Sequence, residues 1–118
     1  MKIILCGACG RMGKNVAETA AERNVTIAAG VDVIAAPSPF PLYSNLADVT
    51  EQADAVVDFS SASALESVLA FCEDRAIPVV LAATGYTEKD LARIRKSSVT
   101  IGVFMTGNLS VGINLLQY

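Results

Sequence analysis

The run Ile3-Ile4-Leu5-Cys6-Gly7-Ala8-Cys9-Gly10-Arg11-Met12-Gly13, followed further on by Asp32, decides how this chain is read. Ile3 to Cys6 is short and apolar, as a strand buried on both faces would be, and three clustered glycines follow at once. Asn15 to Arg23 reads as an amphipathic helix, and Thr26 to Val31 as a second strand that ends at Asp32. Strand, glycine loop, helix, strand and terminal acid form the layout of a dinucleotide-binding βαβ unit. Gly7 lets the chain leave its strand in a tight turn, and Gly10 lets backbone N–H groups approach a pyrophosphate with no Cβ in the way. Gly13 allows the helix to sit close to the sheet, and the positive end of that helix favours the phosphates. Asp32 lies 32 − 13 = 19 residues past the last glycine, from where a carboxylate reaches an adenosine ribose. The alternative is a purely structural βα turn in which Asp32 only ends a strand.

Outward from this unit, composition narrows the field. The chain has 118 residues, 53% hydrophobic and 18% charged, which suits one α/β domain with a buried sheet. A net charge of −3 argues against nucleic acid or an anionic membrane as partner. No apolar run approaches the roughly 18 residues of a membrane span, and Ile3–Cys6 is too short for a signal-peptide core. Three cysteines make an odd set without a disulfide framework, so a reducing, cytoplasmic location is expected. Histidine is absent, which removes His-dependent triads, the commonest general acid–base and most zinc sites. No metal site is expected, and the chemistry calls for a cofactor or for groups outside these residues.

The rest of the chain continues the alternation. Three prolines in Ala35-Ala36-Pro37-Ser38-Pro39-Phe40-Pro41 exclude helix and central strand, leaving a surface loop beside Asp32. Leu42-Tyr43-Ser44 reads as a short edge strand, Leu46 to Gln52 as a brief helix, and Ala55 to Phe59 as a buried strand. Ser63 and Glu66 have capping-box spacing ahead of a helix with Leu65, Val68, Leu69 and Cys72 on one face, running to Arg75. Pro78 precedes a strand at Val79 to Ala82. Thr87 and Asp90 cap a further helix with Leu91 and Ile94 inward, and Thr100 to Phe104 is the last strand. Glu18, Glu22, Glu66, Lys89, Arg93 and Lys96 read as solvated helix faces. A turn at 107–112 and an apolar helix over 113–118 come next, and the exposed apolar end leads us to expect that the domain, residues 1–118, is cut within a helix starting near 110. This pattern predicts an α/β fold, a Rossmann-like doubly wound parallel sheet with right-handed crossovers.

In such a sheet, ligands bind beyond the carboxyl ends of the strands. Asp58-Phe59-Ser60-Ser61, Ala82-Ala83-Thr84-Gly85 and Met105-Thr106-Gly107-Asn108 sit there, all small or hydrogen-bonding, as a flat nicotinamide and its carboxamide require. The same residue types are ordinary in βα loops because they cap helices. Asp58 either contacts a cofactor or caps its own turn, with the structural role preferred. Cys6-Gly7-Ala8-Cys9 is also a C-x-x-C at a strand–helix junction, where thiol–disulfide modules place theirs. Gly10, Gly13 and Asp32 have no use in such a module.

At these loops the chain resembles the 4-hydroxy-tetrahydrodipicolinate reductases (dihydrodipicolinate reductases) over its whole length. The resemblance rests on Gly7-Ala8-Cys9-Gly10-Arg11-Met12-Gly13, Val57-Asp58-Phe59-Ser60, Ala83-Thr84-Gly85 and Asn108-Leu109-Ser110-Val111-Gly112-Ile113-Asn114-Leu115. It implies an amino-terminal nucleotide domain that delivers hydride from NADH or NADPH to a cyclic unsaturated dicarboxylate in lysine and diaminopimelate biosynthesis. By that resemblance Gly7, Ala8, Cys9, Gly10, Arg11 and Met12 cradle the pyrophosphate and Asp32 takes the adenosine ribose. Ala82, Ala83 and Thr84 with Thr106, Gly107, Asn108 and Leu109 hold the nicotinamide end. The family usually carries Gly-Thr-Thr-Gly where Ala82-Ala83-Thr84-Gly85 stands here, and a Phe where Leu109 stands. Its His-His-x-x-Lys motif belongs to a separate substrate domain, so no catalytic residue is expected in this chain, and the family's tetramers form largely through that domain. Asp32 accepts from a ribose 2′-OH and repels a 2′-phosphate, so NADH is expected to be preferred, with NADPH possible through Arg11. A non-catalytic dinucleotide sensor would use the same loops.

Overall fold

The apolar run at the amino terminus becomes the centre of the sheet. A computed structural model describes residues 1–9, 11–33, 38–82 and 85–105, with the backbone alone at 11–14 and 21. Strand β1 (Lys2–Cys6) is followed by helix α1 (Arg11–Glu22), β2 (Thr26–Val31), β3 (Leu42–Tyr43) and β4 (Ala55–Asp58). Helix α2 (Leu65–Arg75), β5 (Val79–Leu81), α3 (Glu88–Ser97) and β6 (Val103–Met105) complete the described part. All five strand pairings are parallel, in the order β3-β2-β1-β4-β5-β6. The order runs one way from β1 to β3 and the other way from β4 to β6. Right-handed crossovers therefore put α1 on one face and α2 and α3 on the other. The expected doubly wound, Rossmann-like sheet is the fold observed, and the point where the order reverses lies between β1 and β4.

Burial explains why these runs are strands. Ile4, Leu5, Val56, Val79 and Leu81 are fully enclosed, as central parallel strands covered on both faces require. Leu65, Val68, Leu69 and Cys72 are the buried face of α2, with Ile94 of α3 joining the same core. Each such aliphatic side chain contributes about 1.5–3 kcal/mol when fully enclosed. Between α2 and α3, Arg93 makes two bonds to Glu73, of 2.7 and 3.3 Å, and one of 2.7 Å to Glu66. The Ser97 hydroxyl donates to Glu73 at 2.9 Å. Arg93 is thus an interhelical clamp and not the solvated surface charge expected, because α2 presents two acids to it. Among the described residues no helix is long and apolar enough to cross a membrane.

Several boundaries differ from expectation for identifiable reasons. Helix α1 starts at Arg11, four residues earlier than the glycines suggested. First-turn N–H groups have no intrahelical partner in any case, so a glycine there breaks little. The helix expected over Leu46–Gln52 is a single 3₁₀ turn at Leu46–Asp48, capped by the Asn45 side chain on the Ala47 N–H at 3.0 Å. Beyond it the Arg75 guanidinium binds the carbonyls of Val49 and Glu51, which holds the segment out of a helix. The Ser63–Glu66 box does not form. A 3₁₀ turn at Ala62–Ala64 leads into α2, Ala64 takes the cap position without a side-chain bond, and the Ser63 hydroxyl pairs with Ser61 at 2.7 Å. The Thr87–Asp90 box forms in full. The strand expected at Thr100–Phe104 begins at Val103, because the Thr100 and Ile101 amides donate back to the Ser97 carbonyl at 2.9 and 3.0 Å.

Candidate dinucleotide-binding site

Loop geometry at the carboxyl end of β1 follows from Gly7. Its φ of +78° suits glycine, and a Cβ there would lie 2.9 Å from the Phe59 carbonyl carbon and 3.0 Å from the Ser60 nitrogen. The glycine loop therefore meets the β4 loop backbone to backbone. Its amides turn back over β2: the N–H groups of Gly7 and Ala8 donate to the Val31 carbonyl at 2.8 and 3.3 Å. Gly30 makes room beneath, since a Cβ on it would sit 2.9 Å from that of Ala8 and 2.5 Å from the Phe40 ring.

Asp32 stands at the end of β2, where its own N–H donates to the Tyr43 carbonyl at 3.0 Å. Its Oδ2 accepts the Cys9 N–H at 2.9 Å. The acid expected to face a ribose and the loop expected to hold a pyrophosphate are thereby joined, which fixes the carboxylate at the rim. Val33 beside it is 88% exposed.

A cleft of about 480 Å³ opens at this rim, bounded by Cys6, Gly7, Asp32 and Val33 on one side and Phe59, Ser60, Ser61 and Ser63 on the other. Ser44, Asn45 and Ser67 also line it. Sequence reading missed these three. Ser44 and Asn45 were legible only as the end of an edge strand and the residue after it, yet β3 pairs in parallel with β2 and delivers them to the same rim. The cleft lies where the strand order reverses, the position at which open parallel sheets bind ligands. Hydroxyls, an amide and one carboxylate around an otherwise apolar opening suit a polar, hydroxyl-bearing ligand with a flat apolar part.

Of the expected site residues, Gly7, Ala8, Cys9 and Asp32 come together at this rim, with Ala82 on the neighbouring loop, its N–H donating to the Asp58 carbonyl at 2.8 Å. Gly10, Ala83, Thr84, Thr106, Gly107, Asn108 and Leu109 lie outside the described residues, as do the side chains of Arg11 and Met12. The turn at 107–112 and the closing helix fall outside them too.

The thiols do not form a reactive pair. Cys6 and Cys72 are buried, and Cys9 is half-buried. Burial, with Asp58 close by, pushes the Cys6 thiol far above its usual range and the Cys72 thiol up to about 12. An attacking thiol needs the opposite shift.

The sequence matches the family model described as dihydrodipicolinate reductase, N-terminus, over residues 1–109. It is 41% identical to the 4-hydroxy-tetrahydrodipicolinate reductase of Caldanaerobacter subterraneus subsp. tengcongensis across 98% of this chain and 47% of that protein. Against the enzyme of the same name from Clostridium botulinum the identity is 38%, across 99% of this chain and 47% of that one. The chain thus spans about half the length of the curated relatives it matches. The fold superposes on a dipicolinate-bound dihydrodipicolinate reductase from Paenisporosarcina sp. TG-14 with a TM-score of 0.77 at 19% identity, covering 95% of this chain and 49% of that one. With the reversed sheet, the glycine loop tied to its acid and the match over 109 residues together, this chain belongs to the amino-terminal domain family of the dihydrodipicolinate reductases.

Proposed function

We propose that this chain binds a nicotinamide dinucleotide, NADH in preference to NADPH, as the nucleotide-binding part of a 4-hydroxy-tetrahydrodipicolinate reductase. The observation that carries this reading is the bond from the Cys9 amide to the Asp32 carboxylate at the rim of the cleft. Asp32 so held accepts from a ribose 2′-OH and opposes a 2′-phosphate by charge. The loop from Gly7 to Met12 cradles the pyrophosphate: the Gly7, Ala8 and Cys9 amides hold the loop to Val31 and Asp32, and the first-turn amides of α1 with the helix dipole favour the negative charge. Ala82, Ala83 and Thr84, with Thr106, Gly107, Asn108 and Leu109, orient the nicotinamide end. Bound there, the dinucleotide supplies a hydride, which in the whole protein goes to a cyclic, unsaturated dicarboxylate of lysine and diaminopimelate biosynthesis. The acid that completes that transfer belongs to a substrate domain of the family. A cytoplasmic homotetramer is the assembly that accompanies this reading.

Titration of the protein with NADH and with NADPH, followed by nicotinamide fluorescence or by heat, tests it. NADH is expected to bind more tightly than NADPH. Asp32→Ala is expected to weaken NADH by about 10- to 100-fold, the worth of a hydrogen bond to a charged group, and to narrow the preference. Tighter binding of NADPH would remove the preference, and a folded protein that binds neither would remove the reading.

A further inference from the structure

Strand β4 ends in a carboxyl group whose two oxygens are treated differently. Asp58 is fully buried. Its Oδ1 accepts the Ser60 N–H at 2.9 Å and also the Ser60 hydroxyl. Its Oδ2 is buried with no hydrogen-bond partner among the described residues. The thiols facing it, Cys6 from β1 and Cys72 from α2, both feel its charge, and no cation answers it among the described residues. Burying a carboxyl in this way is costly, and an apolar side chain would fill the space at less cost. The group is explained by what it holds.

What it holds is a wall of the cleft. Ser60 is exposed and lies on an irregular segment, yet its amide and hydroxyl converge on one buried oxygen. The Phe59–Ser60 peptide so fixed is the one that lies against Gly7. The Phe59 N–H donates to the Cys6 carbonyl at 2.9 Å, and the Asp58 carbonyl accepts the Ala82 N–H at 2.8 Å. One residue therefore sits where the loops after β1, β4 and β5 meet.

We propose that Asp58 is a positioning residue for the dinucleotide, fixing the Phe59–Ser60 peptide against Gly7 through Ser60 and so setting the width of the cleft. This rests on the dinucleotide reading above. Asp58 stays in the core and acts only through Ser60, so its removal acts on affinity through the same route as removal of the Ser60 hydroxyl.

The test is a cycle of Asp58→Val, Ser60→Ala and the double variant, with Asp58→Asn beside it, each titrated with NADH and each melted. Asp58→Val is expected to weaken NADH about tenfold or more, while Asp58→Asn, whose Oδ1 still accepts both Ser60 donors, recovers most of that loss. Ser60→Ala weakens binding in the wild-type background and adds nothing in Asp58→Val, because the two act in series. A merely structural role would lower the melting temperature without this coupling in affinity. Asp58→Val that folds and binds NADH like the wild type, or effects that add in full, overturns the proposal while leaving the dinucleotide reading standing. A wild type that binds neither dinucleotide overturns both. Should Asp58→Val not fold, amide exchange on the wild type decides: the exposed Ser60 amide is slow only if Asp58 holds it, and exchange at the unprotected rate overturns the role.

Discussion

Gly7 is the residue on which the site's shape turns. Two independent constraints act on it, a positive φ and the backbone of Phe59 and Ser60 at 2.9–3.0 Å from where a Cβ would stand. Gly7→Ala must therefore strain its own dihedrals and push the β4 loop outward. The dihedral strain alone costs about 1–3 kcal/mol. We expect a fall in denaturant midpoint of that order together with loss of NADH binding. A variant as stable as the wild type would show that the loop relaxes freely and that the close approach is incidental. Gly7 was legible in the sequence as the residue that turns the chain, because its place after an apolar strand leaves few other roles. Its contact with Phe59 and Ser60 was not legible, since those residues are more than 50 positions away and only the β1–β4 pairing brings them in. Asp32 was legible by its spacing, and its bond to Cys9 was not, because which amide of a loop meets a carboxylate depends on the loop's path.

At the scale of elements, two helix starts that look alike in sequence behave differently. Thr87 accepts the Asp90 N–H at 3.2 Å, and Asp90 accepts the Thr87 N–H at 2.9 Å, a reciprocal pair that satisfies two orphan donors. Ser63 with Glu66 has the same spacing, yet Arg93 of α3 draws Glu66 away at 2.7 Å and the chain enters α2 through a 3₁₀ turn. Thr87→Ala is accordingly expected to cost about 1 kcal/mol. Ser63→Ala, which loses only an exposed hydroxyl pair, is expected to stay within about 0.5 kcal/mol. Equal effects in thermal or urea melts would contradict the assignment of caps. The contrast shows where sequence reading stops. Local patterns gave Thr26–Val31 to the residue and the buried face of α2 in full, since both depend on apolar spacing. The lost box and the shortened 3₁₀ turn each depend on a partner from elsewhere, Arg93 and Arg75, whereas the shift of β6 to Val103 comes from a local turn in which the Thr100 and Ile101 amides return to the Ser97 carbonyl.

For the whole molecule, two carboxyl groups set opposing slopes of stability against pH. Glu73 is held below the usual carboxylate range, chiefly by its hydrogen bonds with Arg93, so its contribution is present above the unfolded pKa and is lost as the pH falls. Asp58 is pushed the other way, because burial outweighs the two bonds from Ser60 that stabilise its charge. Between its unfolded pKa, near 3.9, and its raised folded value, the native state holds a proton that the unfolded chain has released. Stability from this group therefore falls as the pH rises through that window. The groups that face it are Cys6 and Cys72, both protonated there because burial has raised them too, so neither titrates in competition. Asp58→Asn removes the ionisable group and keeps an oxygen for Ser60. The stability of the Asn variant relative to the wild type should grow more favourable from pH 4 upward and level off once Asp58 is ionised in the folded protein. Glu73 is common to both proteins and cancels in the difference. Urea melts of the two proteins at half-unit steps from pH 4 to 8 would measure it, and a difference that does not change with pH would mean that Asp58 ionises as freely in the fold as in the unfolded chain.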